Sequence, residues 1–275
     1  MAVSPYATSA ERAWYYTHRV FCAAVLLFLI APILAIMPLS LNAESFFTYP
    51  LPGLSLQWYE DFFTNDRWTL ALRNSIVVAA AVTSLATALG TLAALGLSRA
   101  NFPARALVMS VLISPMIVPV IISGVGMYFG YTKVGLSNSL PGLILAHTAL
   151  ATPFVVIVVT ATLSGFDHTL IRAGANLGAS PPRVFFKIIL PLILPGLISG
   201  ALFAFVTSFD ETVVVIFLAG PEQRTLPKQM FSGIREMISP TITAAATLLI
   251  LFAITMLTTV ELLRRRSERL RGIRN

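Results

Sequence analysis

Long apolar runs separated by short polar breaks set the pattern of this chain. Six windows of roughly twenty residues or more are almost free of charge: 20–40, 74–97, 104–129, 140–163, 192–218 and 241–263. Each is long enough for a helix to cross a hydrocarbon core of ~30 Å. No segment shows the ten-residue alternation of apolar and polar positions that a membrane barrel needs, and open sheet edges cannot be satisfied in lipid. The pattern therefore predicts an all-α membrane protein, a bundle of six transmembrane helices. Its expected parts are an N-terminal segment 1–19, a membrane domain 20–263 with a polar loop at 164–191, and a basic tail 264–275.

Charge decides the orientation. Only 11% of the 275 residues are charged, far below the ~25% of soluble domains, so the net charge of +7 has meaning only by position. Arg12, Arg19, Arg99, Arg105, Arg172, Arg183, Lys187 and six residues of the tail lie on one set of helix ends, thirteen in all. Arg67, Arg73, Lys133, Arg224, Lys228 and Arg235 make six on the other. The excess of positive charge on cytoplasmic loops places both termini and the 164–191 loop in the cytoplasm. A basic tail directly after a span reads as an anchor to lipid headgroups and not as a nucleic-acid site. The first span is expected to be retained, because its apolar run is longer than a signal core and Leu41 is large for the position three before a cut at Ala43. Cys22 is the single cysteine, which excludes a disulfide framework or cysteine metal site within one chain.

Within this frame, several positions carry local signals. After the first span, a Pro-Gly pair and then Trp58, Phe62 and Phe63 predict a turn followed by a short amphipathic helix in an aromatic interfacial belt. Ala86, Gly90 and Ala94 repeat at four-residue spacing beside Thr83, Thr87 and Thr91, a face that admits a close neighbouring helix. Pro115, Pro119 and Pro153 fall deep inside spans. Each frees a carbonyl that another helix, a hydroxyl or water has to satisfy, so these prolines either line a polar path or are plain structural kinks. His147 has no carboxylate or cysteine partner at helical spacing and reads as a packed, hydrogen-bonded polar residue.

The loop 164–191 reads as two short helices. Asp167 caps the first, whose Phe166, Leu170, Ala173, Gly174 and Leu177 share a face, and Gly178 ends it. Ser180 and Pro181 open the second, in which Phe185, Ile188 and Ile189 rest on lipid while Arg183 and Lys187 reach toward phosphates. That helix is expected to follow the membrane surface until Pro191 and Pro195 turn the chain into the fifth span. The first helix projects into the cytoplasm with an apolar face that needs a partner.

The run Ala173, Leu177, Gly178, Ala179, Ser180, followed by Leu190 and Pro191, resembles the EAA loop of permease subunits of binding-protein-dependent ABC importers. The likeness extends over the whole chain, including "LRNSIVVAAAVTSL" and "HTALATPFVV". It implies the bundle of a type I ABC importer permease, with Arg172, Ala173, Gly174, Leu177, Gly178, Ala179 and Ser180 forming the coupling element for a cytoplasmic ATPase. Where the family has Glu-Ala-Ala this chain reads Arg172, Ala173, Gly174, so the partner surface is expected to offer an acidic residue. The implied partners are two P-loop ATPase subunits, a second permease completing a heterodimer, a periplasmic binding protein and lipid. ATP and magnesium belong to those ATPases, since no Gly-x4-Gly-Lys-Ser/Thr loop is present here, and no cofactor is expected on this chain.

Asp210 and Glu211 lie inside the fifth window. Ionisable groups in a span cost about 2.5 to 3.5 kcal/mol each on insertion scales, so an aqueous path, a cationic substrate, or a structural task such as breaking the helix or binding freed backbone donors has to offset them. The segments "SFDETVVVIFLAGP", "TLP" and "MFSGIREMISPTI" are similar to the polyamine subgroup of the family, which implies spermidine or putrescine as cargo. Permeases for other small nitrogenous or iron-bearing solutes share that subgroup. Two further classes compete with this reading. An intramembrane serine protease would pair Ser137 with His147, but Ser137 falls in a loop. An ion-coupled secondary transporter would not need the projecting loop and usually shows repeated halves.

Overall fold

The computed structural model describes residues 6, 8–98, 102–167, 169–236 and 238–270; Arg99 and the last part of the tail, both counted in the charge pattern, lie outside them. Among the described residues the chain is helical, with one isolated bridge between Asn42 and Leu54. Five helices are long and apolar enough to cross a membrane, or six when one bent pair is taken as a single span. The chain forms two compact units, residues 65–232 and residues 1–64 with 233–275.

In the second of these, helix α1 (Ser9–Leu39) starts well before the apolar run. A reciprocal cap explains the early start: Thr8 Oγ1 accepts from the Glu11 N–H at 3.3 Å, and Glu11 Oε2 accepts from the Thr8 N–H at 2.7 Å. The predicted aromatic helix is α2 (Gln57–Thr64). Phe62 is buried, the Trp58 indole N–H donates to Asn42 O at 2.6 Å, and Tyr59 Oη meets Ser40 Oγ at 2.7 Å. Asp61 of α2 accepts from Thr241 Oγ1 at 2.7 Å, near the start of the last helix, α12 (Pro240–Leu270).

The unit 65–232 is built on three helices in mutual contact, α3 (Asp66–Leu97), α6 (Leu140–Ser164) and α9 (Leu190–Asp210). Lipid gives helices no hydrophobic drive to associate, so contact distance matters. At Gly90, in the small-residue face of α3, an added Cβ would stand 2.7 Å from Val155 Cβ of α6, and at Gly200 of α9 it would stand 3.3 Å from Val155 Cα. Val155 is fully buried between them.

The third predicted span is two helices, α4 (Arg105–Ile117) and α5 (Val120–Lys133), bent by 101°. Val118 precedes Pro119 and is extended (φ −70°, ψ 130°), the conformation that a following proline ring imposes. Pro115 stays inside α4, and the carbonyl it frees, Val111 O, accepts from Ser114 Oγ at 2.8 Å. Pro153 is buried in α6, which continues through it.

The loop between α6 and α9 differs from expectation at its second half. The first helix is α7 (Thr169–Asn176). The second, α8 (Pro181–Val184), does not turn at Pro191; it continues through a π-helical stretch, Phe185–Ile189, into α9 as one run of 30 residues, Pro181–Asp210. The widened turn is the reason. The Leu190 N–H bonds to Phe185 O, five residues back, which relaxes the ladder just where Pro191 can supply no donor. The fifth window also breaks near its end, giving α9 and a short α10 (Val213–Leu218), followed by α11 (Leu226–Glu236).

The Gly90 contact gives a test of the packing. Gly90→Leu should lower the stability of the purified protein in detergent by about 1–3 kcal/mol, the range for overpacking a filled site. Thermal unfolding of this variant beside Leu92→Ala, which alters an exposed position of the same helix, is the measurement.

Candidate functional site: a tethered loop helix and a broken span

The loop site follows from one glycine-dependent stop. Asp167 Oδ1 accepts from the Thr169 N–H at 2.9 Å and opens α7. At the other end Gly178 takes φ +79°, the Ala179 N–H donates to Gly174 O at 3.1 Å and the Gly178 N–H to Ala175 O at 2.9 Å. This pair of bonds is the Schellman stop. A Cβ at Gly178 would touch nothing within 4 Å, so glycine is required there for backbone conformation and not for space. Ser180 holds the N-cap position of α8, but its side chain makes no capping bond; Pro181 at the first helical position supplies the start.

Gly174 is buried, and a Cβ on it would stand 2.7 Å from Ile188 Cδ1. That contact ties α7 to the α8–α9 run. The expected apolar face is therefore divided. Gly174 is covered, whereas Leu177 is 89% exposed and Arg172, Ala173, Gly178 and Ser180 are exposed beside it; Ala179 is half-buried.

The second site is the break at Asp210–Thr212. α9 ends at Asp210, and Glu211 is extended (ψ 115°). Glu211 Oε1 accepts from the Val214 N–H at 2.9 Å, so this carboxylate caps α10. Asp210 is exposed, and among the described residues no hydrogen bond or ion pair engages its carboxylate. The two adjacent acids are thus in different situations. α10 packs on α5, where a Cβ at Gly124 would lie 2.7 Å from Phe217 Cδ2. Pro119 opens α5; Pro115 and Pro153 belong to α4 and the core of α6.

His147 is buried, and its Nδ1 lies 3.0 Å from Ser208 Oγ, two residues before Asp210. The structural task expected as one alternative for the acid pair, binding a freed backbone donor, is performed by Glu211; Ser208 and Lys228, whose Nζ reaches the end of α10, were not singled out from sequence. The polar triplet Ser-x-Asp-Glu held the signal for a break, but not the direction of each side chain. Ser137 bonds with Thr132 Oγ1 at 2.9 Å and His147 with Ser208, so the protease pairing does not form. Among the described residues no three His, Cys, Asp or Glu side chains converge as a metal site.

Known proteins resemble this chain in sequence and in fold. The chain is 32% identical over 254 residues to the spermidine/putrescine transport system permease protein PotC of Haemophilus influenzae, covering 92% of this chain and 98% of the relative. It is 34% identical over 230 residues to the putrescine transport system permease protein PotI of Escherichia coli, covering 81% and 82%. A bacterial ABC transporter that imports the acidic polysaccharide alginate shares the fold, with TM-score 0.76 and 13% identity over 95% of this chain and 99% of that one. An amino acid ABC transporter crystallised with histidines does so with TM-score 0.58 and 14% identity over 76% and 98%. Residues 86–271 match the family described as binding-protein-dependent transport system inner membrane component, and they include the loop helix, the broken span and the core that joins them. The chain belongs to this family: it is a membrane permease subunit of an importer.

Proposed function

We propose that this permease forms half of the path for a small organic polycation of the spermidine and putrescine type, driven by ATP hydrolysed on partner subunits. The reading takes its substrate from the relatives named for spermidine and putrescine. The single observation on this chain that carries it is Asp210, an exposed carboxylate at the end of a membrane helix whose acidic neighbour is already engaged in capping. A cationic amine arriving there would supply the charge partner whose absence makes such a group costly in a membrane.

On this reading both termini and the α7 loop face the cytoplasm of a bacterial inner membrane. Leu177, Ala173 and Arg172 form the contact with one of two ATPase subunits. A second permease completes the path, and a periplasmic binding protein delivers the cargo. Closure of the ATPases moves α7, and through the Gly174 contact it moves the Pro181–Asp210 run. No covalent chemistry is assigned to this chain.

Uptake of radiolabelled putrescine and spermidine by cells producing the complete transporter tests the reading. Asp210→Asn should lower uptake about tenfold or more, the loss of one charge-assisted contact, while the complex still assembles. Unchanged uptake would remove Asp210 from the path. Leu177→Asp should reduce co-purification of the ATPase with the permease, because an apolar contact is replaced by a charge, and leave the thermal unfolding of the isolated chain unaltered. Gly178→Val places a β-branched residue at φ +79°, a strain of about 1–2 kcal/mol, and should lower the ratio of substrate moved to ATP hydrolysed.

A further inference from the structure

Helix α10 is held at both ends by side chains that lie outside it. At the start, Glu211 Oε1 accepts from the Val214 N–H at 2.9 Å. At the end, Lys228 Nζ donates to Ala219 O at 2.7 Å and to Val215 O at 3.2 Å, and the Asn138 N–H donates to Leu218 O at 2.8 Å. A helix of six residues has too few internal bonds to persist alone, and its last carbonyls have no partner within it. The Ala219 N–H already donates to Val215 O at 3.0 Å; the Lys228 ammonium adds a second bond to that oxygen, occupies Ala219 O just past the helix and meets the negative end of the helix dipole.

Lys228 lies beyond a turn of the chain, and that turn is itself fixed. Ser75 Oγ accepts from the Leu226 N–H at 2.7 Å, and Asn74 Nδ2 donates to Glu222 O at 2.7 Å and Arg224 O at 3.0 Å. Arg224 Nη1 donates to Gln229 Oε1 at 2.8 Å. Asn74 and Ser75 are buried residues of α3, so the segment bearing Lys228 is fastened to the core helix. Burial, and after it the charge of Arg224, hold the Lys228 pKa below the ordinary lysine value. The lysine is thus kept in place against its own solvation by the two carbonyls it serves.

We propose that Lys228 is a positioning residue for transport: it clamps the far end of α10 to the segment anchored on α3 and so fixes the break at which Asp210 is presented. This rests on the reading of Asp210 as the residue that meets the cargo. Loss of the clamp leaves the far end of α10 held by the Asn138 bond and the packing on α5, which loosens the helix on the Glu211 hinge and raises water access to the break.

The experiment uses the assembled transporter in membrane vesicles, with Cys22→Ala removing this chain's one native thiol and labelling read on this chain after its separation from the other subunits. Thr212→Cys places a reporter within the break, and Glu44→Cys places a control in an exposed loop. Each is labelled with a water-soluble methanethiosulfonate reagent. Lys228→Met should raise the labelling rate of Thr212→Cys about tenfold, the change expected for one lost charge-assisted hydrogen bond, and Lys228→Arg should restore it. The Glu44→Cys rate should stay constant across these backgrounds. Equal Thr212→Cys rates with Lys, Met and Arg would overturn the clamp, and so would a parallel rise at Glu44→Cys, which would mark general loosening. If Lys228→Met does not accumulate in the membrane, Lys228→Gln is measured against the same criteria. Putrescine uptake by the unaltered transporter in the same vesicles separates the two ideas. Its absence would remove the substrate reading, whereas the labelling result judges the clamp.

Discussion

A backbone that breaks inside lipid must satisfy its freed N–H and C=O groups from within the protein or from water in a polar cavity, because the hydrocarbon offers no partner. This constraint accounts for much of the polar content of the membrane helices. Ser114 occupies the carbonyl vacated by Pro115, whereas Thr148, Thr152 and Thr162 satisfy only their own hydroxyls, each donating to the carbonyl four residues back. Such bonds bend helices slightly at small cost, whereas an unsatisfied group costs about 2 kcal/mol or more. Polar residues inside a span are therefore weak indicators of a transport path until their partners are known. At the α9–α10 break the same demand is met by charged groups, Glu211 at one end and Lys228 at the other.

The two adjacent acids are separated by this requirement. On a continuous helix they would differ by one step of rotation, and either could face a path. The break makes them unequivalent: Glu211 is committed to the Val214 N–H, and the carboxylate of the exposed Asp210 is engaged by no hydrogen bond or ion pair among the described residues. A cap that is itself anionic also places negative charge beside Asp210, which strengthens the field a polycation would meet. Under the proposed function, structural need and cargo recognition would fall to neighbouring residues of the same type.

The spans were legible because lipid allows only one reading of a long apolar run, and Gly178 was legible because a left-handed helix stop favours glycine. Hydropathy alone does not show the start of α1, because the Thr8–Glu11 capping box opens the helix well before the apolar run begins. Pro191 misled for a physical reason. A proline normally ends a helix, but the π-turn at Phe185–Ile189 removes the bond that its ring would break. The stripe on α7 was readable as apolar, yet only the fold shows that Gly174 is covered by Val184 and Ile188 while Leu177 is left bare. That one of the two acids binds a freed backbone donor was legible from their place in the span, though not that it is Glu211; Lys228 had no local signal, since its bonds to Val215 and Ala219 depend on where the chain returns.

The loop and the break are joined by the plainest element of the fold. α7 touches the α8–α9 run at Gly174, and that run continues as one helix to Asp210. At ~1.5 Å per residue its 30 residues span about 43 Å, longer than a ~30 Å hydrocarbon core, so it can carry displacement from one side of the membrane to the other. Along it, Gly196 and Gly200 sit directly on Thr162 and Val155 of α6. Contacts with so little side chain between the helices suit small sliding motions better than interlocked ones. Under the proposed function, a push on α7 would shift this rod lengthwise against α6. The shift would be felt where the rod ends, at the residue pair whose second member is pinned to α10. Movement of the rod relative to a clamped α10 would then change the setting of Asp210 without unfolding any helix.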